Sequence, residues 1–228
     1  MKKRQKEESL AKILKTQSLL KQDVYEVTKS IFNNLKKELE AEIEHLRAEI
    51  KEERVRLKFE NKGDFEAYAF VGSDALIFNM HTNVFCFPKE NSMWKTSYVE
   101  EDPTRAYCGV INIYNFLADS FLHGRLNDPG YLIGRIFINK EKHFIVEGKG
   151  KLGFLFRDFI NGEITTPVLK DIVQTSIKHA AEFDLLMPPF DIVNTVSVMQ
   201  IQALSSSLQM KTGKRLGFKF KAESSKIN

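Results

Sequence analysis

Phe65-Glu66-Ala67-Tyr68-Ala69-Phe70-Val71-Gly72-Ser73-Asp74-Ala75-Leu76-Ile77-Phe78-Asn79-Met80-His81-Thr82-Asn83-Val84-Phe85-Cys86-Phe87-Pro88 holds three short apolar runs separated by two polar turns. Residues 65–71, 75–80 and 84–87 are rich in the aromatic and branched side chains that suit strands, and glycine, polar residues and proline punctuate them. Their tight spacing predicts antiparallel hairpins. The pattern changes to this punctuated form around Phe59-Glu60-Asn61-Lys62-Gly63-Asp64, so a domain is expected to open there.

On the N-terminal side, about Leu10 to Leu57 contains no proline or glycine and is dominated by Glu, Lys, Leu, Ala and Ile, which is strong helix composition. A helix of roughly 50 residues would be about 75 Å long, more than a small domain can cover. Leu20, Val24, Val27 and Ile31 step by four, three and four, and Leu39, Ile43, Leu46 and Ile50 do the same, as coiled-coil seams do. Between them Ile31, Leu35, Leu39 and Ile43 step by four, which shifts the seam's phase like a stutter. Asn34 falls at a seam position, where a polar side chain favours one register. The expectation is a homo-oligomer joined through Val24, Val27, Ile31, Leu39, Ile43, Leu46 and Ile50. The competing arrangement is one amphipathic helix folded back on its own domain.

On the C-terminal side a weaker strand is expected over residues 93–99, before the acidic loop Glu100-Glu101-Asp102-Pro103. Val110, Ile111, Tyr114, Leu117, Ala118, Phe121 and Leu122 share one helical face, predicting a helix over 105–123. Asn127-Asp128-Pro129-Gly130 is a turn by its chemistry. Strands are expected over 131–138, 143–149 and 152–159, with a tight turn near Asn139-Lys140-Glu141. Thr166 and Pro167 open a helix whose buried face is Leu169, Ile172, Val173, Ile177 and Ala180. Residues 191–210 are assigned to a further helix, and Leu216, Phe218 and Phe220 to an edge strand with lysines facing water. The fold class is therefore α+β: a long N-terminal coiled-coil helix (1–58), one domain with a mainly antiparallel sheet and packed helices (59–222), and a polar tail (223–228).

Composition bounds the function. With 43% hydrophobic residues, 18 Phe and only 6 Pro in 228 residues, the chain is globular and long enough for one buried core. The basic start, Met1 to Lys6, runs into Glu7, Glu8, Lys12 and Lys15, which is not a secretory signal, and no apolar run is long enough to span a bilayer. A cytoplasmic location without membrane attachment is expected. Cys86 and Cys108 lie in apolar stretches and are read as reduced core residues. The net charge of +4 concentrates at Lys2, Lys3, Arg4 and Lys6 and again at Lys211, Lys214, Arg215, Lys219 and Lys221. The second cluster mixes cations with phenylalanines, a combination that holds single-stranded nucleic acid weakly through Lys214, Arg215, Lys219 and Lys221; an edge strand with its charges in water explains the same alternation and is the favoured reading.

Two motifs carry possible chemistry. Glu147-Gly148-Lys149, with Asp128 further upstream, has the acid, then acid-x-Lys order of divalent-metal nucleases of the restriction-enzyme type, in which two carboxylates hold Mg²⁺ or Mn²⁺ beside an ammonium. The expected order of helix, three strands and helix from Arg105 onward also resembles the core of that superfamily. Against it, Asp128 already has a place in a turn, and Arg135 would face Glu147 across a hairpin as an ordinary ion pair. Gly148, Gly150 and Gly153 spell G-x-G-x-x-G, but a dinucleotide site needs a helix where a strand is expected over 152–159. His45, His81, His123, His143 and His179 show no paired metal spacing, and no serine sits in a G-x-S-x-G elbow. The reading is a coiled-coil-assembled binding or regulatory module for a protein or small ligand, without cofactor or chemistry of its own. A metal-dependent nuclease using Asp128, Glu147 and Lys149 is the alternative.

Overall fold

The computed structural model describes residues 10–126, 128–184, 189–199 and 201–202. The expected strand at 216–220, the basic segment 211–221, the cluster Lys2 to Lys6 and part of the helix expected over 191–210 lie outside the described residues.

Helix α1 (Leu10–Ile50) is unbroken, as its composition predicts. It ends at Lys51, whose φ of 47° is the left-handed conformation common just past a helix. Arg47 in its last turn donates to the Leu57 carbonyl at 2.6 Å, joining the helix end to the first strand. Strands β1 (Leu57–Asn61), β2 (Glu66–Val71) and β3 (Asp74–Met80) form an antiparallel meander. Where β1 lies, only a boundary was expected. Strand β4 (Phe85–Cys86) is followed by a 3₁₀ turn over Ser92–Lys95, helix α2 (Ser97–Glu101) and a second 3₁₀ turn over Pro103–Ala106. This replaces the strand expected at 93–99, because the Asn91, Thr96 and Asp102 side chains accept from nearby backbone N–H groups and start helical turns in succession.

Strand β5 (Tyr107–Leu117), helix α3 (Ala118–Leu122), β6 (Tyr131–Asn139), β7 (Phe144–Gly148), helix α4 (Gly150–Leu155), helix α5 (Thr166–Ala181) and helix α6 (Phe190–Val193) complete the described chain. The helix expected over 105–123 is corrected to a strand over Tyr107–Leu117, with helix only over Ala118–Leu122. Val110, Ile111, Ile113 and Leu117 are buried on both sides of β5, and a doubly buried strand satisfies helical spacing as well as any other. The strand expected over 152–159 is likewise corrected, to α4 and a following loop. The turn at 139–141 forms as expected, the Asn139 side chain accepting from the N–H groups of Glu141 and His143 at 2.9 and 3.0 Å.

The sheet order is β1-β2-β3-β5-β6-β7, every pair antiparallel, with β4 pairing to β5 beyond the end of β3. One face carries Ala67, Ala69, Leu76, Phe78, Ile111, Ile113, Ile136 and Val146 into a single core with Ile31, Phe32, Leu35, Leu39 and Ile43 of α1 and Leu169, Ile172, Val173 and Ile177 of α5. The residues of the expected seam meet this core to different degrees. Val24, Ile31, Leu39 and Ile43 are buried within their own chain, Val27 and Leu46 pack partly against the same core, and Ile50 is exposed. The physical reason is that α1 covers the sheet with its middle turns and overhangs at its start, so its length does not prevent docking. Within residues 10–50, α1 shares the core of the sheet. Cys108 is buried as expected, whereas Cys86 is exposed. Among the described residues no helix is long and apolar enough to cross a membrane.

Candidate functional site

Among the described residues no long helix lies over the second face of the sheet. Two smaller apolar clusters cover its ends: Phe70, Ala75, Ile77 and Ala118 at one, and Met93, Tyr98, Val99, Ala106, Cys108 and Phe159 at the other. The pairing register places three adjacent rows across the middle of this face. Tyr68, Ile77 and Tyr114 form the first, and Val110, Phe137 and Ile145 the third. Between them Glu66, Asn79, Asn112, Arg135 and Glu147 make a polar row across five strands. Asn79 Nδ2 donates to Glu66 Oε1 at 3.1 Å. Arg135 Nε donates to Glu147 Oε2 at 2.9 Å, and Nη2 donates to the same oxygen. This is the cross-strand ion pair expected from the hairpin.

Over the third row and the near part of the polar row lies a half-open groove of about 770 Å³. Val110, Asn112, Phe137 and Ile145 form its floor, while His81, Phe85, Phe87, Pro88 and Met93 stand along its sides. The wall is pinned locally. Trp94 Nε1 donates to the Phe87 carbonyl at 2.9 Å, and the Lys89 ammonium sits 3.2 Å from the centre of the Trp94 ring. Behind the wall, Tyr98 accepts from the buried Asn139 amide at 2.9 Å and donates to Glu141 at 2.8 Å. Its ring stacks on His143 with centroids 4.6 Å apart. Burial pushes the Tyr98 phenol up to about 12. The Lys140 ammonium, 2.8 Å away, and then the Thr104 hydroxyl hold the Asp102 carboxyl down at about 2. These bonds fasten residues 92–106 to the β6–β7 hairpin, so the wall has a fixed position relative to the floor.

Asp128, Glu147 and Lys149 each have their own neighbours. Asp128 is buried, accepting from Ser120 Oγ at 2.8 Å and from Arg125 Nη1 at 3.4 Å. Glu147 stands at the groove's rim with Arg135. Lys149 precedes α4, with its ammonium 5.7 Å from the centre of the Tyr131 ring. Among the described residues no group of three His, Cys, Asp or Glu side chains is arranged to hold a metal ion. The order of helix, three strands and helix that supported a nuclease core is also absent, because β5 is a strand and α4 a helix. Gly150 does open a helix, contrary to expectation, but this helix is six residues long and leads to no parallel strand. The following loop instead lies along β7, with Val146 N–H donating to the Phe156 carbonyl at 2.8 Å. A Cβ on Gly153 would stand 2.0 Å from the Gly148 carbonyl oxygen, so this glycine serves close packing of the turn.

Asn79, Asn112 and the groove wall were missed by sequence reasoning. Their only signal is a single polar residue inside each apolar strand, which becomes a site when pairing aligns them. Comparison of the chain with protein-family models, curated proteins and solved structures returns no match.

Proposed function

We propose that the chain is a binding module without chemistry of its own, which takes a small, largely apolar ligand in the groove over β5, β6 and β7. The groove itself carries this reading: about 770 Å³ of half-open space with an apolar floor, within the usual range of small-molecule sites. Apolar floor left in water is unfavourable, and covering it with a ligand gains roughly 25 cal/mol per Å² buried. The wall's bonds to the β6–β7 hairpin support a site formed before the ligand arrives, which lowers the ordering cost of binding.

Trp94, the single tryptophan of the chain, packs beside the wall and reports on the groove. Titration with octanamide, a neutral ligand with an apolar chain, should give a saturable change in Trp94 emission. Ile145→Glu, which puts a charge on the groove floor, should weaken this by about tenfold or more, since a buried unpaired carboxylate costs more than the roughly 1.4 kcal/mol that tenfold represents. A linear, unsaturable response, or equal binding by a variant that melts like wild type, would overturn the groove as a ligand site.

A further inference from the structure

The hydrogen-bonding groups of the groove are unbalanced toward donors. Arg135 uses Nε and Nη2 on Glu147, which leaves Nη1 without a bonded partner among the described residues. His81 accepts the Asn83 N–H on Nδ1 at 3.0 Å, so a neutral ring carries its proton on Nε2 and offers a donor there. The half-buried Asn112 amide makes no side-chain hydrogen bond among the described residues and offers both its NH2 and its carbonyl oxygen on the floor. Two of the side-chain acceptors are engaged: Glu147 Oε2 takes both Arg135 bonds, and the Asn91 side-chain oxygen accepts the Met93 N–H at 2.9 Å, which leaves Glu147 Oε1 at the rim.

Resting on the groove reading, we infer that the groove selects a monocarboxylate with an apolar body, its head on Arg135 and its chain along Val110, Phe137 and Ile145. A neutral apolar molecule would leave the donors unmade, and a cation would meet a Glu147 already neutralised. A phosphate dianion would find one guanidinium whose charge Glu147 offsets. A single planar carboxylate fits the guanidinium fork in two parallel hydrogen bonds. Glu147 holds that place in the free protein as an internal carboxylate. Its pair with Arg135 is open to water, with side chains 41% and 62% exposed, so exchange for a ligand carboxylate costs little.

The experiment compares octanoate with octanamide, equal in chain and different in charge, by Trp94 emission in the full chain. Octanoate should bind about tenfold more tightly, the scale of one added charge-assisted hydrogen bond. Arg135→Gln should remove that preference, bringing octanoate and octanamide to within about twofold of each other, because the charge that distinguishes the two heads is gone. Arg135→Lys, which keeps the charge and loses the fork, should fall between them. Glu147→Gln should tighten octanoate several-fold by removing the internal competitor. Equal affinities in the wild type, or an unchanged preference in Arg135→Gln, overturns the carboxylate inference while saturable octanamide binding keeps the groove. Failure of both ligands to bind overturns both.

Discussion

At Gly109 α1 packs tightly on the sheet: a Cβ there would stand 2.1 Å from Thr28 Oγ1 and 2.7 Å from Thr28 Cβ. Thr28 is fully buried and its hydroxyl already donates to the Val24 carbonyl at 2.7 Å, so it has no room to yield. Gly109→Ala should therefore destabilise the fold by about 1–3 kcal/mol through overpacking, and Thr28→Ala in the same chain should recover part of the loss, as read from denaturant melts. Two residues behind the groove wall contribute to the pH dependence of stability. The Tyr98 phenol is raised from 10.0 to about 12 by burial, so its contribution is complete below pH 10 and is lost as pH climbs toward 12. Asp102 is depressed from 3.8 to about 2 by Lys140, so its contribution is present above pH 4 and is lost as pH falls toward 2. Melting temperature against pH should fall at both ends; Tyr98→Phe should flatten the alkaline fall and Asp102→Asn the acidic one. Asp102 and Lys140 are partly solvated, which keeps the acidic effect near 1 kcal/mol or below.

At the scale of elements, α1 shows why periodicity alone misleads. A spacing of four, three and four describes a helix with one apolar stripe, and the stripe does not record whether a second helix or a sheet covers it. The covered length runs from Leu20 to Ile43, which is roughly 35 Å at 1.5 Å per residue and matches the width of several paired strands. Leu35→Ala or Leu39→Ala should cost about 2–5 kcal/mol, because both side chains are fully buried in the common core. Ile50→Ala, at 43% exposure, should change stability by no more than about 0.5 kcal/mol. Strand β5 misleads for a related reason. Its neighbours β3 and β6 bury it along both edges, α1 covers one face, and the small clusters cover much of the other, so apolar residues occur without the alternation that would betray a strand.

For the whole molecule, placement of α1 in the core alters what truncation should do. Removing residues 1–50 would strip the cover from Ile111, Ile113 and Ile136, so the remainder should lose cooperative melting by circular dichroism. If Val24, Ile31, Leu39 and Ile43 serve the chain's own core, the melting temperature should be independent of protein concentration. An obligate coiled coil would raise it with concentration by mass action, and that result would restore the seam. The sequence by itself determined the long N-terminal helix, the turns at 72–74 and 139–141, the strands on either side of them, the buried face of α5 and the Arg135–Glu147 pair. These depend on contacts within a few residues or across one hairpin, where backbone chemistry and period decide. Only the tertiary structure decided what covers α1, that β5 is the central strand, and that Asn79, Asn112, Arg135 and Glu147 align beside an apolar floor. Those features arise from pairing between strands far apart in the chain, and a single residue in each strand carries no mark of the neighbour it will meet.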